Sequence, residues 1–179
     1  MKKKQSITTP LNDDQTVELN AGDCLQLSGV VYTARDKAHE RLMEMASRGE
    51  PFPFACNGQI LYYTGPSPAK PGSIIGSAGP TTSYRMDPYS EFILSSGIKG
   101  MIGKGKRDDA TKNLLCLWKA VYFSTFGGAG AYLSKRIISA EVIAFEDLGP
   151  EAIYRLEVRD FPLIVINDSR GGDLYEIRR

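Results

Sequence analysis

Three segments in the middle of the chain follow the same order: a short β-type run, a turn that carries polar side chains, and a helical pattern. The three turns are Thr33–Asp36, Gly79–Arg85 and Gly103–Arg107. In a partly parallel sheet, the loops after the strands meet at one edge, where helix N-termini concentrate N–H donors and partial positive charge. This order therefore predicts an α/β fold with a mixed, partly parallel sheet and helices after the three turns.

Hydrophobic periodicity and turn residues predict the remaining elements. A helix is expected from a cap at Asp36 to about Ser47, and another after Asp108 or Asp109. A short helix is expected over Ala131–Arg136. The predicted strands are Leu25–Tyr32, Ile60–Tyr63, Ile74–Ser77, Gly100–Ile102, Ala120–Thr125, Glu141–Phe145, Tyr154–Val158, Leu163–Ile166 and Leu174–Ile177.

Length and composition indicate one globular domain. The 179 residues can bury a sizeable core, so we expect a single domain over residues 1–179, with 1–23 as an N-terminal arm that has one short strand around Val17 and Leu19. The formal net charge is +1, which argues against a nucleic-acid partner, and the basic run Lys2–Lys4 fits a solvated tail. With no apolar stretch of about 20 residues, we expect a cytoplasmic protein without a membrane partner.

The three cysteines lie far apart in the sequence. Cys24, Cys56 and Cys116 form no CxxC-type pair, and their odd number argues against a disulfide framework. We therefore expect reduced, buried thiols and no local motif for holding a metal cluster. No metal ligands are predicted in this chain.

The three turns together favour an anion pocket. Arginine binds carboxylates bidentately and lysine adds a compact charge, so Arg35, Arg85 and Lys104 at one sheet edge would suit a small dicarboxylate. The alternative is that these side chains are surface residues near helix starts. His39, the lone histidine, follows Arg35 by one helical turn and would contact substrate or fill a partly exposed helix face.

Two other patterns have structural interpretations. The run Gly127–Gly130 lacks the Walker and Rossmann spacings, so a tight turn is favoured over a phosphate site. The acidic doublets at Asp13 and Asp108 precede predicted elements, which favours capping or solvation over catalysis.

Several blocks of the chain resemble one enzyme family. The segment Ser28–Asp36 with His39 is similar to the start of the C-terminal domain of class I fumarases and of the β subunit of L-tartrate dehydratase. The similarity covers nearly the whole chain, in this order: Phe54–Gly58, Gly65-Pro66, Gly79–Thr82, Arg85-Met86, Gly103–Gly105 and Pro162–Val165.

This resemblance implies a swivelling β/β/α domain that works with a partner. In the family, the partner subunit, or an N-terminal domain in fused members, binds a four-iron four-sulfur cluster through its own cysteines. The resemblance makes Thr81 the catalytic base, supported by Lys104 as a second catalytic residue. It implies a set of substrate-binding residues: Arg35, Thr82, Arg85 and His39.

The expected function is therefore that of the β subunit of a two-subunit hydro-lyase that interconverts fumarate and L-malate. L(+)-tartrate dehydration to oxaloacetate is the nearest alternative, and a non-catalytic dicarboxylate-binding domain is another. We expect an α subunit as partner and an exposed, polar-rimmed apolar surface where it docks. A homodimer of the isolated chain also stays open.

Overall fold

Seven strands of one mixed sheet form the centre of the molecule in the computed structural model, which describes residues 5–176. The strands are β1 (Gln5–Thr8), β2 (Cys24–Thr33), β3 (Ile60–Tyr62), β4 (Gly100–Gly103), β5 (Val121–Ser124), β6 (Ile137–Ala144) and β7 (Ile153–Asn167). The α-helices are α1 (Asp13–Val17), α2 (Asp36–Ser47), α3 (Ser90–Ser95), α4 (Asp109–Leu117) and α5 (Gly130–Leu133). Turns of 3₁₀ helix span Ser83–Tyr89, Ser134–Arg136 and Glu146–Glu151. The α/β prediction is confirmed.

The strand order is β1-β2-β3-β4-β5-β7-β6, with a further pairing between β2 and β7. Neighbours from β1 to β5 run parallel, whereas β7 runs antiparallel to β2, β5 and β6. Because β7 pairs with both β2 and β5, the strands β2, β3, β4, β5 and β7 close a ring. The parallel strands place their following loops at one edge of this ring.

Alternating side chains on the strands divide the core in two. On β3, Ile60 and Tyr62 belong to the cluster between the strands of the ring, and Leu61 belongs to a second cluster against the helices. Helix α2 adds Ala38 and Leu42 to the second cluster, since residues four apart share one helix face. Two strand layers and one helical layer result.

Some predicted elements were wrong. A helix occupies Asp13–Val17, where a short strand was expected, and Ile74–Ser77 is irregular. The two predicted strands from Tyr154 to Ile166 are one continuous strand, β7. The expected last strand is a turn over residues 174–176, and Ile177 lies outside the described residues, as does the run Lys2–Lys4.

None of the helices in the described part of the chain is long and apolar enough to cross a membrane. The cysteines in this part are free thiols, but only Cys56 is buried. Cys24 is exposed at the start of β2 and Cys116 is half-buried, so the expectation of three buried thiols was wrong.

Candidate active site

Thr81 lies where β3 and β4 end. Its backbone N–H donates to the carbonyl of Tyr63 at 2.7 Å, and its own carbonyl accepts from the N–H of Lys104 at 3.2 Å. The Ser83 N–H then donates to the Lys104 carbonyl at 2.9 Å. The segment Thr81–Ser83 thus continues the ladder between β3 and β4, which fixes Thr81 and the half-buried Thr82 beside Lys104.

A chain of polar contacts joins Thr81 to both arginines. Arg85 Nη2 donates to the hydroxyl oxygen of Thr81 at 3.1 Å and lies 3.4 Å from Asp36 Oδ2. The same Asp36 oxygen is 3.8 Å from Nη2 of Arg35. The structure therefore brings together Arg35, Thr81 and Arg85, which come from two separate turns, and adds an aspartate that sequence reasoning had taken only as a helix cap.

Arg35 is held from its other side. Its Nη2 lies 3.4 Å from Glu151 Oε1, while the other carboxylate oxygen of Glu151 accepts from the Lys37 N–H at 3.1 Å. A Cβ on Gly65 would lie 2.9 Å from Arg35 Nη1 and 3.1 Å from the Pro150 carbonyl oxygen, so the guanidinium packs directly against this glycine. The N-cap of α2 is Arg35 rather than Asp36, and Glu151 satisfies an N–H of the first turn.

Lys104 is exposed, and no carboxylate of residues 5–176 lies within ion-pair distance of it. The glycine before it is required by packing, because a Cβ at Gly103 would lie 1.9 Å from Ser83 Oγ. Ser83 Oγ in turn accepts from the Tyr122 hydroxyl at 2.9 Å. The lysine loop and the Thr81 loop are thereby packed against each other.

A buried ion pair between Arg107 and Asp87 supports the Thr81 loop and the lysine loop. Arg107 is almost fully buried, and its Nε donates to Asp87 Oδ1 at 2.5 Å while Nη2 donates to Ser90 Oγ at 2.9 Å. Its guanidinium also lies over the rings of Tyr63 and Tyr122, at 5.5 and 5.1 Å. Arg107 was noticed in the sequence only as the end of the lysine turn.

His39 lies beneath the site and is fully buried. Its Nδ1 is 2.8 Å from the Arg35 carbonyl, which can only accept, so Nδ1 carries the proton. Nε2 is buried and has no hydrogen-bond partner among the described residues. Burial lowers the pKa of His39 from 6.5 to about 4. The ring stacks on Tyr89 with centroids 5.2 Å apart.

The other sequence patterns have structural roles. Asp108 caps α4 by accepting from the Thr111 N–H at 2.7 Å, as expected. Gly130 packs so closely on the preceding loop that a Cβ would lie 2.2 Å from Ser77 Oγ, which supports the tight-turn interpretation. Within residues 5–176, no group of three or more His, Cys, Asp or Glu side chains could hold a metal ion. The residues present therefore do not fit an iron-sulfur cluster bound by this part of the chain alone.

Comparisons with known proteins show the family to which this chain belongs. A family model described as Fumarase C-terminus matches residues 2–177. The chain belongs to the fumarase C-terminus family. Within that family, 89% of the chain aligns at 39% identity with 85% of "Putative L(+)-tartrate dehydratase subunit beta" from Methanocaldococcus jannaschii.

The fumarate hydratases among its relatives are longer proteins. The chain is 36% identical to fumarate hydratase 1, mitochondrial, of Leishmania major over 85% of the chain and 28% of that protein. It is 34% identical to the anaerobic class I fumarate hydratase of Escherichia coli, again over 85% of the chain and 28% of the relative. The chain spans about a third or less of the fumarate hydratases it matches. These relatives are hydro-lyases by name.

Proposed function

We propose that this chain is the β-type subunit of a two-subunit hydro-lyase that interconverts fumarate and L-malate, with a second subunit that carries a four-iron four-sulfur cluster. One observation supports this most directly. The Arg85 guanidinium donates to the Thr81 hydroxyl at a sheet edge that also holds Arg35 and Lys104. That arrangement combines a proton-accepting oxygen with three cations suited to a dicarboxylate.

Thr81 is the proposed base. A threonine hydroxyl is a weak base near neutral pH, so the role requires neighbouring cations that stabilise an alkoxide-like oxygen. Arg85 donates to that oxygen directly, and Lys104 follows on the adjacent strand end. In the dehydration direction, Thr81 Oγ1 accepts the proton that leaves the carbon next to the substrate carboxylate.

The arginines hold the substrate. Arg35 is held by Asp36 and Glu151 and packs against Gly65, so its guanidinium is preorganised to bind one carboxylate. Thr82, beside Lys104, supplies a further polar contact. His39 acts in this proposal by holding the backbone of Arg35. The cluster, when bound by the partner, supplies a Lewis acid for the substrate hydroxyl.

Tartrate dehydration is the second candidate, because a relative that aligns over 85% of its own length is named as a tartrate dehydratase subunit. L-malate and tartrate differ by one hydroxyl group. Anaerobic co-expression with the cysteine-bearing partner, followed by parallel assays of fumarate, L-malate and L- and D-tartrate, separates them. No turnover by a cluster-loaded complex would instead favour a dicarboxylate-binding domain.

Substitution at Thr81 tests the proposed base. We expect Thr81→Ala to assemble normally and to lose most turnover, whereas Thr81→Ser keeps the hydroxyl and much of the rate. Arg85→Ala should also raise KM, since it removes a cation that binds substrate. Wild-type turnover by an assembled Thr81→Ala enzyme excludes Thr81 as the base.

A further inference from the structure

The candidate site is open on one side. Lys104 is exposed, and the Arg85 side chain is 38% exposed. A site that controls the addition of water to a small substrate has to be closed against bulk solvent. The described residues provide the floor and one wall of such a site, so the closing surface has to come from another chain or segment.

Exposed aromatic side chains lie along the same sheet edge. Ser124, at the end of β5, pairs with Gly103 at the end of β4, and Phe126 follows two residues later with 61% exposure. Tyr84, directly before Arg85, is 62% exposed. Exposed aromatic residues beside a functional edge are typical of protein interfaces.

A cleft of about 390 Å³ opens between Phe126 and the sheet. Its walls include Phe126 and Tyr132, and its floor includes Leu163 and Ile164 of β7. Tyr132 is 47% exposed. The cleft is therefore lined mainly by apolar groups and is accessible to the side chains of another protein.

The loop between Phe126 and Tyr132 is attached to the catalytic segment. The N–H of Ala78 donates to the carbonyl of Gly130 at 3.2 Å, three residues before Thr81. A Cβ at Gly130 would lie 2.9 Å from the backbone nitrogen of Gly79. A protein that binds this loop would thus also reach the edge that holds Thr81.

Gly127 gives the sharpest indication of a close neighbour. Other glycines of the described chain have a positive φ or a packing contact, whereas Gly127 has an ordinary φ and no atom within 4 Å of a Cβ built there. Nothing in the fold of residues 5–176 therefore requires glycine at this position. Glycine is also used where another backbone approaches closely.

We propose that the loop Phe126–Gly130, together with Tyr132 and Tyr84, is the surface on which the cluster-bearing subunit docks, with Gly127 at the closest approach. This inference rests on the proposed two-subunit function. It commits to a partner that corresponds to the part of the longer fumarate hydratases not covered by this chain. Docking there would close the open side of the site.

Assembly, rather than activity, tests this surface. The full chain is co-expressed with the cysteine-bearing subunit from the same genome, and the affinity of the purified subunits is measured by sedimentation. Gly127→Trp and Phe126→Asp should each weaken assembly by at least about tenfold. Leu117→Asp is the matched control, because Leu117 is 70% exposed but lies at the far end of α4.

Unfolding midpoints of the isolated variants keep the result interpretable. Phe126 and Leu117 are more than half exposed, and no atom lies within 4 Å of a Cβ built at Gly127, so the three substitutions should leave stability nearly unchanged. Wild-type affinity for both Gly127→Trp and Phe126→Asp would overturn the docking surface, as would an equal loss in Leu117→Asp. Failure of the wild-type chains to associate would overturn both this surface and the two-subunit function. A complex that assembles and is weakened as expected, yet turns over none of the substrates, would refute only the proposed reaction.

Discussion

Protonation of His39 should destabilise the folded chain in mild acid. The folded pKa is about 4 because the ring is fully buried, whereas the ordinary value is 6.5. Nδ1 already donates to the Arg35 carbonyl, so a second proton would have to sit on Nε2, which is buried without an acceptor among residues 5–176. Between these pH values the unfolded chain binds more protons than the folded chain.

The contribution of His39 to the free energy of unfolding should therefore be complete above pH 6.5 and should decrease as the pH drops toward 4. One pKa unit corresponds to about 1.4 kcal/mol, so the loss attributable to His39 should reach about 3 kcal/mol. Urea denaturation of the isolated chain at several pH values measures it. His39→Gln keeps a donor for the Arg35 carbonyl but cannot titrate, and subtracting its pH profile removes the contribution of the carboxylates. Parallel pH profiles for the two proteins would refute the reasoning.

Two substitutions test the residues that support the Thr81 loop and the lysine loop. Asp87→Asn leaves the buried Arg107 charge without its counterion and should lower the free energy of unfolding by about 3 kcal/mol, measured by urea denaturation. Asp109→Asn, whose side chain is 95% exposed, should change it by less than about 0.5 kcal/mol, and an equal effect would contradict the role of the pair. Gly103→Ala should cost about 1–3 kcal/mol by overlap with Ser83 Oγ, seen as a lower Tm. Adding Ser83→Ala should recover part of that loss, and no recovery would place the strain elsewhere.

Local signals explain which helices could be predicted. The Asp108 cap and the apolar spacing after Asp36 are short-range features, and both helices form. The helix at Asp13 also has such a signal, since Asn12 and Gln15 form a capping box that was not recognised. The strand expected around Val17 was wrong because an apolar pair alone does not distinguish strand from helix.

Long-range pairing explains the other differences. Separate strands were predicted over Tyr154–Val158 and Leu163–Ile166, yet β7 continues between them because β2 pairs with it on both sides of a bulge near Leu27. The strand expected after Ile74 finds no neighbour in the sheet. Such outcomes depend on partners distant in the sequence, which local patterns do not encode.

In the candidate site, too, short-range features could be predicted from the sequence and long-range contacts could not. Each of the three turns was visible in the sequence, but the contact between Arg85 and Asp36 joins two of them and required the fold. Glu151 accepts a hydrogen bond from the N–H of Lys37, which lies 114 positions earlier in the sequence, and no local pattern pointed to this contact. The burial of His39 was also missed, because half of its helix faces solvent and the other half the second core.

The charges of the site give a physical reason for a second chain. Arg35, Arg85 and Lys104 contribute three positive charges, while Asp36 and Glu151 lie close enough to the arginines to offset two of them. A dicarboxylate carries two negative charges, so this chain alone leaves the bound substrate only partly neutralised. Like charges confined in a site with little water repel strongly. The remaining positive charge has to come from groups outside the described residues, and the proposed partner would supply them while also closing the site.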